Sequence, residues 1–232
     1  MTEFDRYATD YEALRAENVR WFGYPPNYFD EYKIRLVFTE LARERPPDEP
    51  LAVLNFGCGV GKSDVFITRY FPSAEVLGVD VSVESIEIAR RVNRTLPRVS
   101  YRTIEDSAPL RLDRLFDMIF VANVFHHVEP SRHVPVLRDL FRHLRPGGSV
   151  FFFEHNPHNP LTRYAVNRCP MDINATLLKP SYAAAAFREA GFREVRVRFA
   201  LFLPGFLSAL SGLEAMLCRL PLGAQYHIRG RP

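Results

Sequence analysis

The chain has 232 residues, 47% of them apolar and 25% charged, which suits one sizeable soluble α/β domain built around its own core. Its formal net charge of +3 is not gathered into a basic tract, so composition calls for no nucleic-acid partner. The three widely spaced cysteines, Cys58, Cys169 and Cys218, exclude a disulfide framework and a cysteine-rich zinc site. The opening Met1-Thr2-Glu3-Phe4-Asp5-Arg6 lacks the apolar run of a secretory leader, and the expected compartment is the cytoplasm.

Residues 1–45 read as helical and rich in aromatic side chains, among them Tyr7, Tyr11, Trp21, Tyr24, Tyr28, Phe29 and Tyr32. These either close a pocket or simply form an aromatic core. Pro46-Pro47 and Pro50 end that pattern. The run Leu51-Ala52-Val53-Leu54 then reads as a buried parallel strand that enters the glycine cluster Gly57, Gly59, Gly61 and continues as a helix. Further strands are expected at residues 75–80, 98–104, 116–122 and 149–154, with helices at about 83–93 and 131–144. Val134, Leu137, Leu140, Phe141 and Leu144 give the second of these its helical spacing, and Arg145-Pro146-Gly147-Gly148 reads as its stop and turn. A long irregular stretch, 155–180, follows, then a helix at 181–190 closed by Gly191. Segments 193–203 and 224–229 supply two last strands around an apolar helix at 205–220.

The apolar segment from Ala200 to Gly223 is broken by Pro204, Gly205, Gly212, Glu214, Arg219 and Pro221, and falls short of the roughly 20 uninterrupted residues a bilayer span needs. It reads as an amphipathic helix over the fold, with contact to a membrane surface or a lipid-like substrate as the alternative. The strand–helix alternation as a whole predicts a Rossmann-like, doubly wound, mostly parallel sheet of seven strands with helices on both faces.

The segment Asn55-Phe56-Gly57-Cys58-Gly59-Val60-Gly61-Lys62-Ser63 marks a cofactor site. Glycines let the backbone turn sharply and approach a ligand, and the helix that follows offers unpaired N–H groups. In open α/β sheets ligands lie beyond the carboxyl ends of the strands. Three cofactors compete for such a turn. A dinucleotide turn, G-x-G-x-x-G, would need its third glycine where Lys62 stands, and a P-loop would need its first where Phe56 stands. Gly61-Lys62-Ser63 with the strand Val76-Leu77-Gly78-Val79-Asp80 keeps a nucleotide hydrolase in view only distantly. The G-x-G-x-G turn of enzymes that use S-adenosylmethionine (SAM) fits without a gap. Asp80 ends the second strand roughly 20 residues past the turn, where an acid can accept hydrogen bonds from ribose hydroxyls. Its other reading is as a helix cap, a role Ser82 fills equally well.

Several pieces stand in the order of a known family. They are Val53-Leu54-Asn55-Phe56-Gly57-Cys58-Gly59-Val60-Gly61, Gly78-Val79-Asp80-Val81-Ser82, Ile104-Glu105-Asp106, Phe116-Asp117-Met118-Ile119 with Val124-Phe125-His126-His127-Val128, and Leu144-Arg145-Pro146-Gly147-Gly148. With them the chain resembles the class I SAM-dependent methyltransferases, well over about residues 50–155 and loosely elsewhere. The resemblance implies that Gly57, Gly59 and Gly61 pack against the methionine and ribose parts of SAM and that Asp80 binds the ribose. It places Glu105 or Asp106 beside the adenine amine and Asn123 at the methionine end. The family usually has an acid where this chain has Asn55, at a position that tends to meet the SAM amino group. An amide oxygen can still accept that bond, with weaker ion pairing. Phe4-Asp5-Arg6-Tyr7-Ala8-Thr9-Asp10-Tyr11 looks like the lid helices of the small-molecule branch, which makes 1–45 a lid and 46–232 the methyltransferase domain, with 155–180 a substrate-loop insertion. Glu154-His155-Asn156-Pro157 and Asn159-Pro160-Leu161-Thr162-Arg163 look like bacterial natural-product and polysaccharide enzymes.

Methyl transfer to oxygen or nitrogen needs alignment and, for a protonated acceptor, a base. His126, after the fourth strand, is the first candidate, with His127 its neighbour and His155 second. A capping or packing role is the alternative for each. His133 and His143 read as surface residues on the next helix. No H-x-x-x-H or H-E-x-x-H pattern exists among the seven histidines, so no catalytic metal is expected. Tyr11, Tyr164 and Arg168 are candidate substrate contacts, with Asn167 and Asp172 nearby in sequence; Arg168 either clamps an anionic substrate or forms a surface ion pair. The expected function is SAM-dependent methylation of a small molecule, oxygen first, giving S-adenosylhomocysteine (SAH). The expected partners are that small molecule and a second copy in a homodimer, without stable membrane insertion. A non-catalytic SAM-binding or regulatory protein is the alternative, and Asn55 is the one feature in its favour.

Overall fold

The computed structural model describes residues 27–106, 108–169, 175–202 and 214–232. In chain order these carry α1 (Tyr28–Leu41), β1 (Leu51–Phe56), α2 (Lys62–Tyr70), β2 (Ala74–Asp80), α3 (Val83–Val92), β3 (Val99–Thr103) and β4 (Phe116–Ala122). Two 3-10 turns, Phe125–His127 and Pro130–Arg132, lead into α4 (His133–Arg142) and β5 (Leu144–His155). Then come α5 (Pro160–Val166), α6 (Pro180–Ala190), β6 (Glu194–Ala200), α7 (Glu214–Leu217) and β7 (Gln225–Arg231).

The seven strands form one sheet in the order β3-β2-β1-β4-β5-β7-β6. Neighbours from β3 to β5 pair parallel, and β7 runs antiparallel between β5 and β6. The direction of winding reverses between β1 and β4. Crossovers to β2 and β3 cover one face and the crossover to β5 covers the other, so a crevice opens at the carboxyl ends of β1 and β4. Side chains alternate across the strands accordingly. Val53, Val76, Phe120 and Phe153 pack with Ile34 and Val37 of α1 and Ile67 of α2 on one face. Leu54, Val121, Phe152 and Ile228 pack with Leu137 of α4 and Phe187 of α6 on the other.

The expected strands lie where the apolar runs placed them. Three other expectations change. Residues 28–41, read as part of a lid, form a core helix: Ile34, Val37 and Leu41 are buried with β1 and β5. The end of α1 and the chain just beyond it are also fastened to the sheet, because Glu40 of α1 accepts a bond from His227 and Glu44 accepts two from the Arg229 guanidinium of β7. Arg145-Pro146-Gly147-Gly148 turns inside β5 and not before it. Phe116 pairs with Leu144 and Met118 already with Ser149, so the intervening residues bulge out, with Gly147 at φ +80°. The stretch read as irregular contains α5, whose Asn159 caps it through the Leu161 and Thr162 N–H groups. Of the expected helix at 205–220 the described part is α7, and residues 203–213 lie outside the described residues. No helix of the described residues is long and apolar enough to cross a membrane.

Phe152 sits at the centre of this packing, 1% exposed, edge-on to Phe125 and Phe187 at ring distances of 5.0 and 5.4 Å. Phe152→Ala is expected to lower unfolding free energy by ~3–5 kcal/mol in chemical denaturation, whereas Val83→Ala on the exposed side of α3 should stay within ~0.5 kcal/mol.

Candidate active site

β1 delivers its chain end into the crevice, and the glycine loop turns there because β2 holds it. The N–H groups of Gly57 and Cys58 both donate to the Val79 carbonyl, at 2.8 and 3.0 Å. Gly57 has φ +68°, and a Cβ on it would lie 2.4 Å from a Val124 methyl, so no other residue fits. Gly59, at φ +52°, is different: a Cβ there would meet nothing within 4 Å. The loop is closed towards the protein and open towards the crevice, as a backbone that receives a ligand must be.

Asp80 stands beside it at the end of β2. One carboxylate oxygen accepts from the Gly59 N–H at 2.8 Å and the other from the Ser82 N–H at 2.9 Å. Ser82 is the cap of α3, its Oγ accepting from the Ser85 N–H, which leaves Asp80 to the loop. At the tip of β4, Asn123 adopts the left-handed conformation at φ +56°, which asparagine tolerates better than most residues. Its side-chain oxygen is buried without a hydrogen-bond partner among the described residues. An orphaned buried acceptor facing this region fits a donor supplied by a ligand.

Beneath the loop lies a polar network. Asn55 donates from Nδ2 to Asp64 Oδ1 at 2.8 Å, and Tyr101 Oη donates to Asp64 Oδ2 at 2.7 Å. Asn93 Nδ2 reaches both Tyr101 Oη, at 2.6 Å, and the Gly61 carbonyl, at 3.0 Å. Asp64 is fully buried. Burial outweighs the Tyr101 and Asn55 bonds and pushes its carboxyl up to about 6. The neighbouring Cys58 thiol is pushed up as well, by burial first and then by the charges of Asp64 and Asp80.

A second buried carboxylate sits where β4 and β5 end. Glu154 accepts the Phe125 N–H at 2.8 Å and pairs with His126 Nδ1 at 2.6 Å, both side chains only 1% exposed. Burial pushes this carboxyl up too, but the positive charge and bond of His126, the charge of His155 and the Phe125 N–H outweigh it and hold it low. The His126 ring lies 4.1 Å from that of His127 and 5.3 Å from that of His155. All three imidazoles therefore gather at the carboxyl edge, beside Asn123.

With this geometry in hand, comparison with known proteins is direct. Residues 53–148 match the model of a family described as a methyltransferase domain. The trans-aconitate 2-methyltransferase of Azoarcus sp. is 36% identical over 125 residues, covering 52% of this chain and 45% of that protein. The malonyl-acyl-carrier-protein O-methyltransferase of Priestia megaterium is 31% identical over 105 residues, covering 45% and 37%. A SAM-dependent methyltransferase structure from Thermotoga maritima superposes with a TM-score of 0.65 over 98% of this chain and 97% of its own, at 20% identity, a likeness of fold. Residues 53–148 thus match a methyltransferase domain, on a fold shared with SAM-dependent methyltransferases. The chain spans less than half the length of the two curated relatives.

Around this domain the remaining expected site residues are dispersed. Glu105 and Asp106 follow β3 and are exposed, and Asp106 is paired with Arg132 at 2.8 Å. Tyr164 and Arg168 belong to α5 and the turn after it, the Arg168 guanidinium lying 4.6 Å from the Tyr164 ring centre; Tyr164 is 54% exposed. The arginine thus has an aromatic partner, where a substrate clamp or a surface ion pair was expected. Tyr11 and Asp172 lie outside the described residues. His133, read as a surface residue, is buried: Nε2 faces the Phe125 and Val128 carbonyls at 3.0 and 2.9 Å, and Nδ1 faces Tyr182 Oη at 3.0 Å. It fixes the turn that carries His126. His143 is half-buried and accepts the Leu112 N–H. Among the described residues no cluster suits a metal ion.

Sequence reading passed over Asp64, Tyr101, Asn93 and Glu154. The only signals were a charge in the first turn of a helix and one at the end of an apolar strand, where each reads as ordinary.

The two buried carboxylates give opposite pH dependences. Asp64, raised in the folded state, contributes stability that is complete below its unfolded pKa near 4 and is lost as pH rises through about 6, a swing of ~3 kcal/mol. Glu154, held low, contributes stability above the ordinary carboxyl range that is lost in acid. Denaturation at pH 4.5 and pH 7.5 should therefore show Asp64→Asn gaining on the wild type as pH rises. A constant difference between the two proteins would show that Asp64 does not titrate there.

Proposed function

We propose that the protein is a SAM-dependent methyltransferase that methylates an oxygen of a small molecule. The reading is carried by the pairing of Asp80 with the glycine loop: a carboxylate fixed by two N–H groups, beside a loop whose middle glycine faces clear space. In this reading Asp80 accepts from the ribose hydroxyls, and Gly57, Gly59 and Gly61 admit the cofactor to the backbone. Glu105 and Asp106 stand on the adenine side, and Asn123 offers its unmatched oxygen at the methionine end. SAM brings a methyl group already activated on a sulfonium. The chain's own work is alignment and, for a hydroxyl acceptor, removal of a proton.

His126 is the base in this reading, and His155 beside it orients the acceptor. An ionised Glu154 on Nδ1 holds the ring proton there and makes Nε2 the accepting nitrogen. Tyr11, Tyr164 and Arg168 belong to the acceptor side, where an arginine stacked on a tyrosine suits an anionic group.

One observation favours a second acceptor. The His126 side chain is almost completely enclosed, and the trans-aconitate named in the Azoarcus relative is a carboxylate. A carboxylate is nucleophilic at neutral pH without a base. On that reading His126 shapes the pocket and an arginine orients the acid.

Calorimetric titration is the first test. SAM and SAH should bind, NAD and ATP should not, and Asp80→Ala should abolish binding. Methyl transfer from labelled SAM to a panel of hydroxylated and carboxylic small molecules then separates the acceptors. His126→Asn should lower turnover of a hydroxyl acceptor by ~100-fold or more while sparing a carboxylate acceptor. Unchanged turnover of a hydroxyl acceptor would remove His126 as base, and tight SAM binding with no transfer to any acceptor would favour the regulatory alternative.

A further inference from the structure

Asp64 has no task in that scheme. It lies in the first turn of α2, wholly buried, and each of its oxygens takes one neutral hydrogen bond, from Asn55 and from Tyr101. Among the described residues no Lys, Arg or His forms an ion pair with it. A buried carboxylate without a cation is costly, and folds rarely keep one uncompensated. The α2 N-terminus compensates only in part: the dipole effect is smaller than the desolvation it must offset, and the carboxyl stays raised.

The network sits directly under the crevice floor. A Cβ on Gly61 would meet Asn93 Nδ2 and Tyr101 Oη at 2.5 Å each and Asp64 Oδ2 at 3.1 Å. Asp64 and Asp80 both act on the thiol of Cys58, in the middle of the loop. The glycine loop therefore runs between two carboxylates, Asp80 on the β2 side and Asp64 on the α2 side. Asp80 suits neutral hydroxyls. The α2 side of the loop, at the end of β1, holds an anion that lacks a cation.

Asn55 is the link. A carboxylate can only accept, so it forces the amide to present Nδ2 and turns Oδ1 away from it. The bond also polarises the amide and makes Oδ1 a stronger acceptor. We propose that Asp64, acting through Asn55, is the anionic partner of the α-ammonium group at the methionine end of SAM. The assignment rests on the SAM reading above and makes Asp64 a positioning residue. The groups facing it are Asn55 from β1, Tyr101 from β3, Asn93 from the end of α3, and Cys58 and Gly61 from the loop, with Asp80 across the thiol.

5′-Methylthioadenosine, which has the nucleoside and sulfur but no amino-acid portion, separates this role from a merely structural one. In titrations of the full chain, Asp64→Asn should weaken SAM and SAH by ~10-fold or more and leave methylthioadenosine unchanged. The wild type at pH 6, where Asp64 is half protonated, should release about half a proton per SAH bound and none with methylthioadenosine. The exchanged pair, Asn55→Asp with Asp64→Asn, should recover SAH affinity, because the charge moves to the other end of the same hydrogen bond. Equal weakening of all three ligands would assign Asp64 to the loop's shape and overturn the proposal, as would unchanged SAH affinity. If Asp64→Asn does not fold, proton release by the wild type decides: the same release with both ligands, or with neither, overturns it. Failure of the wild type to bind SAM or SAH at all would instead overturn the SAM reading, and this inference with it.

Discussion

Two N–H groups on one carbonyl set the geometry on which the rest depends. Gly57 and Cys58 both donate to Val79, so the chain leaving β1 bends over the end of β2 and cannot run on into the crevice. That bend brings Gly57 against Val124, which only a missing Cβ permits, and Gly59 against Asp80. It also starts α2 at Gly61, in a left-handed conformation that gives α2 its direction across β1. The apolar faces of the sheet supply the stability. The loop decides what the carboxyl edge presents.

The edge is then divided by two carboxylates in contrasting surroundings. Glu154 and Asp64 are both fully buried, and burial alone would raise both. Glu154 has His126 on one oxygen and His155 near by, so its charge is answered inside the fold. Asp64 has only an amide and a phenol, so its charge is not. The same physics that makes one of them a settled structural pair leaves the other dependent on what arrives from outside.

How much of this could be read in the sequence follows from the range of each interaction. Strand positions were legible because a parallel sheet covered on both faces needs continuous apolar runs, and Leu51–Leu54, Met118–Ala122 and Val150–Phe153 are such runs. The glycine turn and Asp80 were legible because both lie next to a strand end. The helicity of α1 was legible but its burial was not, because that depends in part on Glu40 and Glu44 meeting β7 at the other end of the chain. His133 was misread for the same reason: it is polar on a helix whose exposed face is polar, but Tyr182 of α6 and the carbonyls of the preceding turn enclose it. Arg145–Gly148 carried a true turn signal, and the bulge places that turn within a strand.

The segment after β5, proposed to meet the acceptor, is built from still more distant parts. Asn156 is fully buried, donates to the carbonyls of Pro221 and Gly223 and takes the His158 N–H, while Asn159 and Thr162 reach Leu222 and Ala224. Side-chain amides and a hydroxyl therefore hold the segment after β5 to the approach of β7. Such bonds fix a backbone path while leaving an outward side chain of α5 such as Leu161 largely exposed. Under the proposed reading, a scaffold of this kind can keep its cofactor half unchanged and vary its acceptor half. That is why the glycine loop speaks clearly of the cofactor and the residues after His155 say so little of the substrate.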